Sequence, residues 1–145
     1  MLSDGIMLTQ NEIIDKVISK LEELGFEIES SCYINERGID IVAAKGNRKI
    51  LIEAKGGTSS KKNKDEDIPF NRNQARTHIS AAIFKSLQMK EEHEDELVAI
   101  ALPYERHHFE FMESIKTSLK ELEIVIFWCD KENVILENWM MHKIN

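Results

Sequence analysis

The stretch "GIDIVAAKGNRKILIEAKGG", Gly38 to Gly57, decides the fold of this 145-residue chain. It reads as two apolar strands around a tight turn at Gly46-Asn47, a pair suited to a two-residue type II′ or I′ hairpin loop. With that loop Lys45 faces Arg48, Val42 faces Leu51 and Asp40 faces Glu53. Alternation puts Asp40, Val42, Leu51, Glu53 and Lys55 on one face and Ile39, Ile41, Ile50, Ile52 and Ala54 on the other. Cross-strand neighbours have Cβ atoms about 4.5 to 5.5 Å apart, and like charges there are destabilising. Two carboxylates so placed call for a cation between them. Lys55 could screen them as a structural salt bridge, but one amine cannot satisfy two partly buried carboxylates. A hard divalent ion can, since Mg²⁺ takes one or two protein carboxylates and keeps waters for a phosphate substrate.

Outward from the hairpin, helices and strands alternate. "TQNEIIDKVISKLEELGF" opens with a capping box, Thr9 with Glu12, buries Ile13, Ile14, Val17, Ile18, Leu21 and Leu24 along one stripe, and stops at Gly25. "FEIESSCYI" is a strand. "TSSKKNKDEDIP" is polar and aperiodic, a loop. "NRNQARTHISAAIFKSLQMK" is a second helix with Ala75, Ile79, Ala82 and Ile83 buried. "ELVAIALP" suits a central strand covered on both faces. "ERHHFEFMESIKTSLKEL" reads as one helix, and "IVIFWCD" and "NVILENW" as closing strands. The order is α-β-β-β-α-β-α-β-β, an α/β sandwich with a mixed central sheet flanked by helices, and residues 1–145 form a single domain.

Composition narrows the function classes. No stretch is apolar enough for a bilayer span, and "MLSDGIMLTQ" lacks the features of a signal peptide, so a cytoplasmic protein with no membrane partner is expected. Cys32 and Cys129 lack zinc-like neighbours and read as ordinary thiols. The net charge is −7, which alone argues against a polyanionic partner. Its distribution changes that reading: residues 45–90 hold 11 basic and 4 acidic side chains, a solvated face or a modest pointer to nucleic acid. Lys61, Lys62, Lys64, Arg72, Arg76 and His78, all in this basic third, are candidate DNA contacts.

"GIDIVAAKGNRKILIEAKG" resembles the core of the PD-(D/E)XK nuclease superfamily, the fold of restriction endonucleases and Holliday-junction resolvases. Asp40 resembles its isolated acidic residue, and Glu53-Ala54-Lys55 its (D/E)XK element. The resemblance, spanning about Thr9 to Leu102, implies a restriction-endonuclease-like α-β-β-β-α-β core, here followed by a C-terminal helix and two strands. It implies that Asp40, Glu53 and the Ala54 carbonyl hold Mg²⁺ or Mn²⁺ while Lys55 positions or activates the attacking water. The implied activity is divalent-metal-dependent DNA endonuclease, a phosphodiester hydrolase of repair, recombination or restriction type. Cutting both strands would favour a homodimer. The alternative is a catalytically silent nucleic-acid-binding or protein-interaction subunit that keeps the fold. The proline of the motif is absent, since Ile39 precedes Asp40.

Two further residues have double readings. Members of the superfamily often carry an acidic residue on the first helix that helps the metal; Glu12 fills that role or only the capping box, with Asp15 as a substitute. Gln74 resembles a glutamine that lies near the active site in several branches, or belongs with His78, Ala81 and Lys85 to a solvated stripe. Lys85 is read as solvated, and His107 and His108, being adjacent, as surface residues.

Overall fold

The computed structural model describes residues 8–32, 38–58 and 68–145. Helix α1 (Gln10–Glu23) begins at the expected capping box: the Thr9 side chain accepts from the Glu12 amide, and the Glu12 carboxylate accepts from the Thr9 amide at 2.9 Å. It ends where Gly25 takes φ +96°. Lys45 Nζ reaches back to the Leu24 carbonyl at 2.8 Å, closing the helix end with a cation, as the helix dipole favours.

Strands β1 (Glu27–Ser31), β2 (Ile41–Lys45) and β3 (Arg48–Ala54) form an antiparallel meander. The hairpin register is the expected one, with Val42 opposite Leu51 and Lys45 opposite Arg48. Gly46 has φ +63° and Asn47 is not among the positive-φ residues, the type II′ pattern. Helix α2 (Arg72–Glu92) then crosses over to β4 (Leu97–Pro103), which lies parallel to β3; β5 (Ile124–Cys129) is parallel to β4. Among the described residues six strands are ordered β1-β2-β3-β4-β5-β6, with β6 (Val134–Ile135) antiparallel at the far edge.

The sheet is sandwiched. Ile41, Ala43, Ile50 and Ile52 pack with Ile13, Ile14, Val17 and Leu21 of α1. On the opposite face Leu51 and Val98 pack with Met89 of α2. Among the described residues no helix is long and apolar enough to cross a membrane.

Three expectations change. The single helix after β4 is two, α3 (Arg106–Glu113) and α4 (Lys116–Glu121), because Ile115 leaves helical geometry at φ −126°, ψ 15° and Ser114 Oγ bonds the Phe111 carbonyl. The last strand is only two residues long, since "ENW" turns into a further helix, α5 (Asn138–Ile144), that buries Met140 and Ile144. Ile39, expected on the α1 face, packs instead against the Leu51–Met89–Val98 cluster, because regular pairing stops at Ile41 and the chain bends at Asp40.

Candidate active site

The site grows from the end of β3. Glu53 follows Leu51 on the α2 face, and Asp40 sits just outside β2 opposite it, both buried at 9% and 8% exposure. The bend at Asp40 turns its carboxylate onto the backbone of β3, where Oδ2 accepts from the Ala54 amide at 2.8 Å in place of a ladder carbonyl. That bond ties the isolated acid to the middle residue of Glu53-Ala54-Lys55. Lys55 Nζ stands 3.6 Å from Glu53 Oε2, and its amide bonds the Ala101 carbonyl at the end of β4. The cluster therefore lies at the carboxyl ends of the parallel pair β3–β4, where open α/β sheets bind ligands.

Electrostatics show how uncomfortable this arrangement is. Burial, then the charge of Asp40, push the Glu53 carboxyl from 4.5 up to about 7, against the pull of Lys55 and Lys85. Asp40 is also raised, first by burial, with the Ala54 amide and a hydrogen bond from Glu53 opposing. The two carboxyls therefore titrate as one coupled pair, both held above the ordinary carboxylate range by burial.

Helix α2 roofs the site. As the crossover between parallel strands it runs antiparallel to β3, so stepping back one turn from Met89, which packs on Leu51, brings Lys85 over Glu53. Lys85 is half-buried and acts on both carboxylates, which corrects the expectation of a solvated side chain. Its neighbour four residues on, Met89, is core, so this part of the helix faces the sheet. Two turns further back lies His78, stacked on Phe70 with ring centroids 4.5 Å apart; burial, then Lys55 and His108, lower its pKa.

The remaining sequence candidates are dispersed. Gln74 is exposed and closes a capping box with Asn71, its Oε1 accepting from the Asn71 amide at 2.9 Å. Glu12 is exposed and engaged in its own capping box. Yet the start of α1 is close by: the Gly57 amide bonds the Leu8 carbonyl, and a Cβ on Gly56 would come within 2.5 Å of the Gln10 nitrogen. Arg72 is bound to Glu110 at 2.8 Å and lies 4.4 Å over the Phe111 ring. Arg76 is exposed. Lys61, Lys62 and Lys64 lie outside the described residues, but both flanks of their segment are pinned together, with Thr58 bridged to Pro69 and the Phe70 amide on the Gly57 carbonyl.

His108 corrects a further expectation. It is 1% exposed rather than on the surface, and its Nδ1 pairs with the Glu105 carboxylate, which also accepts the His108 amide as the N-cap of α3. Burial would raise Glu105, but the His108 bonds outweigh it and hold this carboxyl below its ordinary range. Adjacency to His107 excludes a shared face and leaves open that one of the two points inward.

The donor set suits a hard cation. Among the described residues no group of three or more His, Cys, Asp or Glu side chains could hold a metal. Asp40, Glu53 and the Ala54 carbonyl offer a smaller all-oxygen set, and two carboxyls that burial raises despite Lys55 and Lys85 still call for positive charge.

Comparison with known proteins bears on the family and the fold. A family model described as a PD-(D/E)XK superfamily domain matches residues 10–114. No curated protein matches the sequence. An fdxN element excision controlling factor protein from Anabaena variabilis has a similar structure, with TM-score 0.52, 16% identity, and 87% of this chain and 95% of that chain covered. An XisH family protein from Nostoc punctiforme is similar at TM-score 0.51 and 15% identity, covering 85% and 96% of the two chains.

Proposed function

Because the chain belongs to the PD-(D/E)XK superfamily, we propose that it is a cytoplasmic, divalent-metal-dependent endonuclease that hydrolyses phosphodiester bonds in DNA. The observation that carries this reading is the buried pair Asp40–Glu53 with Lys55 at 3.6 Å, at the carboxyl ends of β3 and β4. Mg²⁺ or Mn²⁺, held by Asp40, Glu53 and the Ala54 carbonyl, would supply Lewis-acid polarisation of the phosphate and a bound water of lowered pKa. Asp40, fixed by the Ala54 amide, keeps its other oxygen for ligation. Lys55 orients the attacking water and offsets charge as it develops on the phosphate. Lys85, roofing the pair from α2, holds the local potential positive toward an incoming phosphodiester. Lys61, Lys62, Lys64 and Arg72 meet backbone phosphates, a contact that gives affinity and no sequence information. For Arg72 this requires exchanging Glu110 for a phosphate.

A second reading, a catalytically silent DNA-binding subunit, draws on the similar structure named as an excision controlling factor. One experiment separates the two. Supercoiled, linear, branched and single-stranded DNA are incubated with protein and Mg²⁺ or Mn²⁺, alongside Asp40→Ala, Glu53→Ala and Lys55→Ala. The nuclease reading requires metal-dependent cleavage that each variant loses while remaining folded. Binding without cleavage by the wild type favours the silent subunit, and cleavage undiminished in all three variants removes the site assignment.

A further inference from the structure

On its outer side α2 carries a stripe that the catalytic reading does not use. Arg76, Ser80, Phe84, Leu87 and Glu91 recur at spacings of three and four, so they share one face, and all five are exposed. Phe84 is 64% and Leu87 41% exposed, large apolar side chains in water on a helix whose other face is already packed. Beside them runs a groove of about 380 Å³ between α2 and α3, lined by Ile79, Ile83, Phe84, Leu87, Phe111 and Ile115.

The charges at the ends of the stripe select its occupant. It is basic at Arg76, apolar in the middle and acidic at Glu91. Among the described residues neither Arg76 nor Glu91 has an ion-pair partner within the chain. We infer that this face is an isologous dimer interface, in which α2 packs antiparallel on α2 of a second copy about a two-fold axis between Ile83 and Phe84. That register sets Phe84 on Ile83, Leu87 on Ser80 and Arg76 on Glu91, each contact made twice. A parallel arrangement would set Arg76 against Arg76 and Glu91 against Glu91.

Small meets large at Ser80–Leu87, and the Ser80 hydroxyl already bonds the Arg76 carbonyl at 2.8 Å, so covering it strands no donor. Each charged end lies roughly 11 Å from the axis along the helix, which suits the shallow crossing class of about 20° rather than a steep one. Helix–helix docking also gives a partner to a phenylalanine that lines the apolar groove and is still strongly exposed. In the dimer each Phe84 fills the groove of the other copy. This inference does not depend on catalysis.

The test is sedimentation equilibrium of the full chain across a concentration series without DNA or metal. The wild type is expected to reach twice the monomer mass, and Phe84→Asp to stay monomeric while keeping the far-ultraviolet circular dichroism of the folded wild type. Arg76→Glu and Glu91→Arg should each raise the dissociation constant about tenfold, from two exposed pairs turned repulsive. The double variant Arg76→Glu/Glu91→Arg should recover wild-type association. A monomeric wild type would assign the face to a different protein and overturn the proposal. So would a dimer indifferent to Phe84→Asp, or single charge variants that associate as the wild type does. Single-variant losses that the double variant does not recover would overturn the register.

Discussion

Replacing Glu53 by glutamine in metal-free protein should stabilise the fold by an amount that depends on pH, although Glu53 is a proposed catalytic residue. The carboxyl ionises at 4.5 in the unfolded chain and at about 7 in the fold, raised by burial and by Asp40. Between these values the native state holds a proton that the unfolded state has released, so stability falls as pH rises. Below 4.5 both states are protonated and no penalty exists. Above about 7 the full penalty remains, on the order of 3 kcal/mol at 1.36 kcal/mol per pKa unit. The glutamine side chain keeps the size of the protonated acid and can still donate to Asp40, but never ionises. The two proteins should therefore unfold alike near pH 4. Near pH 8 the variant should be more stable by up to about 3 kcal/mol, a rise in melting temperature of roughly 6 to 12 °C for a chain of this size. Urea unfolding followed by tryptophan fluorescence, in chelator and at fixed ionic strength, measures the difference at each pH. A gap that is the same at both pH values would refute the coupled pair, since only a carboxyl with shifted titration makes the gap change. Saturating Mg²⁺ should reverse the ranking near pH 8, because the wild type alone keeps both charged ligands.

Glu105→Gln should cost roughly 1 to 3 kcal/mol near neutral pH by weakening the charged bond to buried His108. As the Glu105 carboxyl is held low, that contribution is present above 4.5 and lost as pH falls through the folded value, so urea midpoints of variant and wild type should converge in acid. Gly56→Ala should destabilise by about 1 to 3 kcal/mol in a thermal melt, because its methyl meets backbone at 2.5 Å from Gln10 N and 2.9 Å from Leu8 O; a neutral result would mean that the start of α1 yields freely. Replacing Lys61, Lys62 and Lys64 by alanine should weaken DNA binding alike for all sequences. In a salt titration of affinity the slope should flatten by about 0.9 for each duplex phosphate that no longer meets a lysine, and an unchanged slope would place the DNA surface elsewhere.

The elements legible in the sequence are those whose signals are local. A two-residue glycine turn leaves the hairpin one register, and Thr9 with Glu12 satisfies orphan amides whatever the rest of the chain does. The Asp40–Glu53 opposition follows from that register alone. What is not legible depends on packing at a distance. The apolar spacing of "FEFMESIKTSLKEL" runs through Ser114–Ile115 without a breaker, so nothing in it marks the end of α3. Lys85 and His108 are polar residues whose surroundings come from other groups, β3 in one case and the Glu105 cap in the other. Asp40 is legible as a charge but not as a backbone acceptor, and that bond is why Ile39 swings to the other face.

The outer strands of the sheet carry a consequence for how this protein stays in solution. A sheet open at both ends invites further strands, from a neighbour or from an unfolding copy, and so aggregates. Here β1 is interrupted by a bulge between Ile28 and Ser30, and the bulged Glu29 is paired with Lys49 at 3.2 Å. At the other end β6 offers only two residues before the chain turns into α5. Neither margin gives an intruding strand a flat, apolar run to copy, so the chain can expose a sticky helix face while its six-stranded sheet resists growing into a fibril.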